Sequence, residues 1–310
     1  MTSSTQPAAG RCQPSPQEPL EEQESRLGVL GLTLAVSILG PLPVYMAGAF
    51  AVLVREDLSF DEAGLGLAVS GFFLGSALAS IPGGRLAEAV GPFRGMAVGS
   101  GLTLTAATCM ALLVTSYWQF AACLVIAGFG NAVVQPSGNV AITVGVPLRR
   151  QGLAFGIKQA AGPGSALIAG LAVPALALTL GWRWGFGVAA LLSFGLTVAC
   201  IRGGVVRQRD QAGGGRLGRP WTHLVVLCLV AGFGAASLNS VGSFYVSSVV
   251  ELQGLGEGVA GLGFGLGGLA GVIGRVGAGW FADRMTVARV HLVSLMQAVG
   301  ALAIVRLSGG

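Results

Sequence analysis

Gly84-Arg85-Leu86-Ala87-Glu88, running on to Gly91 and Arg94, and Gly279-Trp280-Phe281-Ala282-Asp283-Arg284, running on to Arg289, spell one pattern twice. In each copy a glycine is followed four residues later by a carboxylate and ten residues later by an arginine, directly after a long glycine-rich apolar run. A polar turn duplicated after matched hydrophobic segments implies two related halves.

Composition identifies the solvent of those halves. The 310 residues are 53% hydrophobic and 10% charged, with a mean hydropathy of +0.75, which leaves too little polar surface to cover a water-soluble globule. Crossing the hydrocarbon core takes about 20 apolar residues. By that measure the sequence predicts nine helical spans, near 27–53, 63–83, 95–115, 117–144, 153–180, 184–201, 221–249, 258–281 and 290–305. The 52 glycines fit such a bundle, because small residues let helix backbones approach closely among lipids. Paired halves in a membrane are the usual architecture of a secondary transporter.

Arginine placement gives the orientation. Arg85, Arg94, Arg149, Arg150, Arg202, Arg207, Arg209, Arg216, Arg219, Arg284 and Arg289 all fall in links after even-numbered spans. The other side holds Arg55, Arg183 and Arg306, with the acidic group Glu56, Asp57, Asp61 and Glu62 beside the first. By the positive-inside rule the amino terminus and the arginine-rich links are cytoplasmic. The net charge of +5 is then topology, and no nucleic-acid partner is expected, since no aromatic residues interleave with the basic link. Residues 1–26, rich in Ser, Pro, Gln and Glu, read as a disordered cytoplasmic tail and not as a signal peptide. Residues 203–220 read as the linker between a first half, 27–202, and a second, 221–310. The five cysteines are scattered without metal-like spacing.

At these motifs the chain resembles the major facilitator superfamily. The superfamily's loop signature, roughly Gly-x-Leu-Ala-Asp-Arg-x-Gly-Arg-Arg, is matched at Gly84, Leu86, Ala87, Gly91 and Arg94, with Glu88 in place of aspartate. Its second copy keeps Gly279, Ala282, Asp283, Arg284 and Arg289. Gly156-Ile157-Lys158-Gln159 and Gly181-Trp182-Arg183-Trp184-Gly185-Phe186 extend the similarity. The resemblance implies an all-α membrane bundle of twelve helices. Nine predicted spans then imply a complete six-helix half followed by a partial, three-helix half. It also implies a gating motif, in which Asp283 latches onto the start of the fifth helix near Gln151 to Phe155. The partner implied for Glu88 is an eleventh helix, which is not among the nine. Two family features are altered: Leu124 stands where many members carry an arginine before Gly128-Phe129-Gly130, and the fifth-helix antiporter signature is reduced to Gly162-Pro163.

Polar side chains in mid-span are costly unless partnered, and so are candidates for a binding site. Asn131, Gln135 and Asn139, spaced by four, share one helix face; that face either lines a cavity or glues helices together. By pseudo-symmetry Asn239, Ser240, Ser243 and Tyr245 of the seventh span and Tyr45 of the first join them, since the resemblance implies a substrate enclosed by the first, fourth, seventh and tenth helices. Lys158 and Arg275 either extend to the cytoplasmic surface or face the cavity, where they would favour an anionic solute. The GxGxxG at Gly263 to Gly268 follows no strand and reads as helix packing rather than a dinucleotide loop. His223 and His291 stand alone. No catalytic residue, metal or cofactor is expected. The reading is a multi-pass permease of the cell membrane moving a small solute by alternating access; the alternative is a truncated membrane fragment or interaction subunit that does not transport.

Overall fold

The computed structural model describes residues 20–147, 150–203, 232, 239 and 243–284. Among them every regular element is helical. The first span is α1 (Leu20–Leu39), α2 (Leu42–Ala49) and α3 (Ala51–Leu58). It is followed by α4 (Glu62–Val90), α5 (Pro92–Leu112) and α6 (Tyr117–Gly145). The fifth predicted span is α7 (Gln151–Gln159), α8 (Ala161–Ala172), a π-helical stretch Val173–Ala177 and α9 (Leu178–Leu180). Then come α10 (Trp182–Arg202), the described part of α11 (243–253) and α12 (Glu257–Arg284).

Six of these helical segments are long and apolar enough to cross a membrane, or seven if the bent pair α1 and α2 counts as one. Their outward faces are apolar: Ile81 is 70% exposed and Leu191 71%, a pattern that suits lipid and not water. The predicted ninth span, Arg289 and most of the predicted linker and seventh span lie outside the described residues.

Two expectations change. The first span is not one helix over 27–53; α1 and α2 meet at a bend of 42°, because Pro41 has no N–H to continue the ladder. The Ser165 hydroxyl of α8 lies 2.6 Å from the Ile38 carbonyl and 2.8 Å from Ala161 O, so a carbonyl at the break is met by a side chain. The helix also begins seven residues earlier than predicted, at Leu20, inside the stretch read as tail.

Elements α4, α5, α6 and α10 pack as one layered group, with α4 and α5 on α6 and α10 on α5. Helix α12 lies along α7 and α8. A cluster of rings fastens one end: Phe50 and Phe186 meet edge-on at 6.0 Å, and Trp182 meets Phe186 at 5.9 Å. There the Gly181-Trp182-Arg183 motif acquires a role. Trp182 Nε1 donates to Asp57 Oδ2 at 3.1 Å, and Arg183 reaches the same oxygen at 2.6 Å and Val114 O at 3.0 Å. The start of α10 is thereby stapled to the ends of α3 and α5.

Candidate functional site: a buried lysine network and a carboxylate latch

The duplicated motif occupies the end of the bundle opposite that staple. Gly91 sits between α4 and α5 with φ +86°, a conformation that glycine alone adopts cheaply, so the motif's middle glycine makes the turn possible. Glu88 and Arg94 are exposed. Among the described residues Glu88 has no hydrogen-bond or ion-pair partner.

The second copy is engaged. Asp283 Oδ1 accepts from Gly152 N and Oδ2 from Leu153 N, each at 2.8 Å. These are the second and third residues of α7, where N–H groups have no partner within the helix and the dipole favours negative charge. The contact falls inside the segment Gln151 to Phe155 named from sequence. Glycines make the approach possible. A Cβ on Gly156 would stand 2.9 Å from Gly279 Cα, and one on Gly279 would stand 2.7 Å from Gly152 O. Arg284 turns away and lies over the Trp280 ring at 3.7 Å.

Deeper in the bundle, the α6 amides and Lys158 form one hydrogen-bonded network. Lys158 is 3% exposed. Its Nζ donates to Gln135 O at 2.9 Å, Gln135 Oε1 at 2.8 Å and Asn139 Oδ1 at 2.7 Å. Gln135 Nε2 in turn donates to Asn131 Oδ1 at 3.3 Å, and Asn131 Nδ2 donates to Ser76 Oγ at 3.2 Å. Every amide dipole thus points its oxygen toward the cation, an alignment in which each bond polarises the next. Of the two outlets open to Lys158 from sequence, the surface is not used; the side chain is folded inward onto α6. The amide face glues α6 to α4 and α7, while Asn139 at its end stays exposed.

All three ammonium protons are matched by neutral acceptors, and among the described residues no carboxylate offsets the charge. The sequence explains why: all 13 Asp and Glu lie before residue 25, in links, or in the first or last turn of a helix. Gly138 lies beneath the lysine. A Cβ there would meet Lys158 Cε at 3.1 Å, Thr33 Cγ2 at 3.2 Å and Ser37 Oγ at 3.4 Å.

The remaining candidates gather nearby. Tyr45 Oη donates to Asn239 Oδ1 at 3.3 Å. Tyr45 and Tyr245 flank Phe264, with ring centroids at 6.4 and 6.1 Å. Arg275 Nη1 donates to Gln159 O at 3.0 Å. That nitrogen and Tyr45 Oη border the same space, 3.5 and 3.6 Å from where a Cβ on Gly162 would lie. Half-buried Arg275 thus ties α12 to the end of α7, with Tyr45 of the first span close by. Ser240 lies outside the described residues, and Ser243 is buried against Gly48. The GxGxxG stretch is helical and packs on α8, where a Cβ on Gly268 would stand 2.6 Å from Pro163 O.

Sequence reasoning missed Ser76, Thr33 and Ser37. Single hydroxyls in a span carry no pattern of their own; only the fold shows which ones adjoin the charged network.

The family model of the Major Facilitator Superfamily matches residues 28–310. The chain belongs to that superfamily. As a member it is a multi-pass membrane protein with an all-α bundle. Among solved structures it is similar to a bacterial homologue of the human lysosomal transporter Spinster, in an inward-facing and occupied conformation. The TM-score is 0.65 and the identity 19%, covering 82% of this chain and 60% of that one. It is also similar to a D-xylose–proton symporter, with a TM-score of 0.60 and 16% identity, covering 84% of this chain and 69% of that one. At such identities the likeness shows the superfamily fold alone. No curated protein sequence matches the chain. The chain therefore spans 60% of the length of the Spinster homologue and 69% of the symporter.

Proposed function

We infer that this chain serves secondary-active transport of a small anionic solute across the cytoplasmic membrane, by alternating access between the segment before residue 203 and the segment after it. Superfamily membership supports transport of a solute. Alternating access is supported by bonds that tie the two segments at both ends and in the middle. Asp283 holds Gly152 and Leu153 at one end, Arg55 Nη1 meets Glu251 Oε1 at 2.7 Å at the other, and Tyr45 meets Asn239 between them. Opening one end in turn requires only that end's bonds to break. On the arginine distribution, the motif end faces the cytoplasm.

The anionic character rests on one observation, the Lys158 ammonium buried at 3% exposure with only neutral acceptors among the described residues. A buried charge without a counter-charge attracts an anion strongly where the dielectric is low. Arg275, bonded only to a carbonyl among the described residues, adds a second cation on α12. The chain in liposomes should take up radiolabelled mono- or dicarboxylates. Lys158→Met and Arg275→Gln should each abolish uptake without lowering the amount of protein in the membrane. Unchanged uptake by Lys158→Met would overturn the anionic reading. Anion binding without uptake would leave the anionic site standing and remove the transport reading.

A further inference from the structure

The three acceptors around the Lys158 ammonium are not held alike. Gln135 supplies two of them, its carbonyl at 2.9 Å and its side-chain oxygen at 2.8 Å. The carbonyl is fixed by the α6 backbone. The side chain is fixed through its nitrogen, which donates to Asn131 Oδ1, while Asn131 in turn donates to Ser76 Oγ on α4. The third acceptor is Asn139 Oδ1 at 2.7 Å. Asn139 is exposed, and its side chain makes no other bond among the described residues. One acceptor of a buried cation therefore sits at the rim of the network, tethered by the cation alone. The two residues lie at one depth: Asn139 is six residues before the end of α6 at Gly145, and Lys158 seven after the start of α7 at Gln151. That is about 10 Å along each helix from the end that carries the latch.

We propose that Asn139 is a surrogate ligand of Lys158, an amide oxygen that a carboxylate or tetrahedral oxyanion of the solute displaces from the ammonium. This rests on the anionic reading of the same site. An amide oxygen carries a partial charge and an oxyanion a full one, so the exchange replaces a neutral acceptor by one that offsets the buried charge. Bonds between ionised partners are also the stronger ones. The entering oxygen takes the place that Oδ1 leaves, so no cavity has to exist beforehand; the amide turns outward, where water meets its freed groups. Gln135 stays, because moving it would undo the chain of bonds to Asn131 and Ser76, and it keeps the ammonium in position. Until a solute arrives, Asn139 gives the third ammonium proton the partner that a buried cation needs. The residue also selects. A neutral solute oxygen exchanges like for like and gains nothing, whereas an anion gains the difference between a charged and an uncharged acceptor.

The test is equilibrium binding to the full chain in lipid nanodiscs, with acetate, succinate, sulfate and inorganic phosphate as probes. Carboxylates and tetrahedral oxyanions are thereby compared directly. Asn139→Ala removes the competitor and leaves one ammonium donor open, so the preferred probe should bind about fivefold more tightly. Asn139→Asp sets a permanent carboxylate on the ammonium and should weaken binding by about tenfold or more. Asn139→Ser, too short to reach Nζ, should tighten binding as alanine does, and it decides the matter if the alanine variant fails to fold. No gain in affinity in Asn139→Ala and Asn139→Ser, or an affinity within twofold of wild type in Asn139→Asp, overturns the surrogate role; loss of binding in Lys158→Met then leaves the anionic reading standing. Binding of no probe by wild type, or full binding by Lys158→Met, overturns the anionic reading and this proposal with it.

Discussion

The Asp283 carboxylate bridges two successive backbone N–H groups at the start of α7, receiving Gly152 N at 2.8 Å on one oxygen and Leu153 N at 2.8 Å on the other. The two bonded segments are more than a hundred residues apart, so the contact fixes how α12 meets the first five spans. Hydrogen bonds to a charged acceptor are worth roughly 1.5–3 kcal/mol each. Asp283→Ala should therefore cost about 2–4 kcal/mol after relaxation, read as a lower melting temperature of the detergent-solubilised chain. Asp283→Asn, which keeps one oxygen acceptor, should lose less. A cysteine introduced at Leu153 should label faster in both variants if the carboxylate closes this end, and at the wild-type rate if it does not.

At the far end the Arg55 guanidinium is shared between Glu251 Oε1 at 2.7 Å and Glu62 Oε1 at 3.5 Å. The hydrogen bond from Arg55 holds the Glu251 carboxyl below its ordinary value of 4.5. A carboxylate with a depressed pKa stabilises the bonded state at pH above its ordinary value, and that contribution disappears as pH falls through the depressed one. Acid should thus loosen this end only below about pH 4.5. A cysteine at Val52, which lines the recess with Arg55 and Glu251, should label at a constant rate from neutral pH to that point and faster below it. In Glu251→Gln the rate should be high throughout and flat with pH. A wild-type rate in that variant would remove the pair's role in closure.

The periodic features were the readable ones. Asn131, Gln135 and Asn139 share a face because they are spaced by four, and that holds for any α-helix. The carboxylates of the repeated turn were visible for the same reason, since they end long apolar runs. What spacing does not encode is which neighbour a face meets. Lys158 could reach the surface or turn inward, and only the packing of α7 on α6 decides in favour of Gln135 and Asn139. Ser37 and Thr33 were silent because one serine or threonine in a span is unremarkable until a cation is found beside it. The bend after Leu39 was written in Pro41 and Pro43, but hydropathy sums over both sides of a kink and reports one span.

On the anionic reading proposed above, Lys158 sets stability against binding. Its charge is buried without a counter-ion among the described residues, and burying an ion costs several kcal/mol even after its hydrogen bonds are made. Lys158→Met keeps the length and apolar stem of the side chain, and the Gln135 and Asn139 amides it frees are one turn apart and can bond each other. The variant should melt at or above the wild-type temperature while losing anion binding. A clear drop in melting temperature would make the lysine a structural tie rather than a site held at a cost to the fold.

The seam between α8 and α12 leaves no room for side chains where the backbones touch, and this makes opposite predictions for a glycine in the seam and one away from it. At Gly170 a Cβ would collide with the Gly261 carbonyl and the Gly265 backbone, and neither can move without shifting a whole helix. At Gly277, on the same α12, a Cβ meets nothing within 4 Å. Overpacking of this kind typically costs about 1–3 kcal/mol and more when the obstacle is backbone. Gly170→Ala should lower the melting temperature by several degrees and should also speed labelling at Leu153, because the α12 that carries Asp283 is displaced. Gly277→Ala should be neutral or slightly stabilising, as alanine costs less than glycine within a helix by about 0.8–1.0 kcal/mol. Equal effects at the two positions would mean that α8 and α12 do not stay packed along this seam in the membrane.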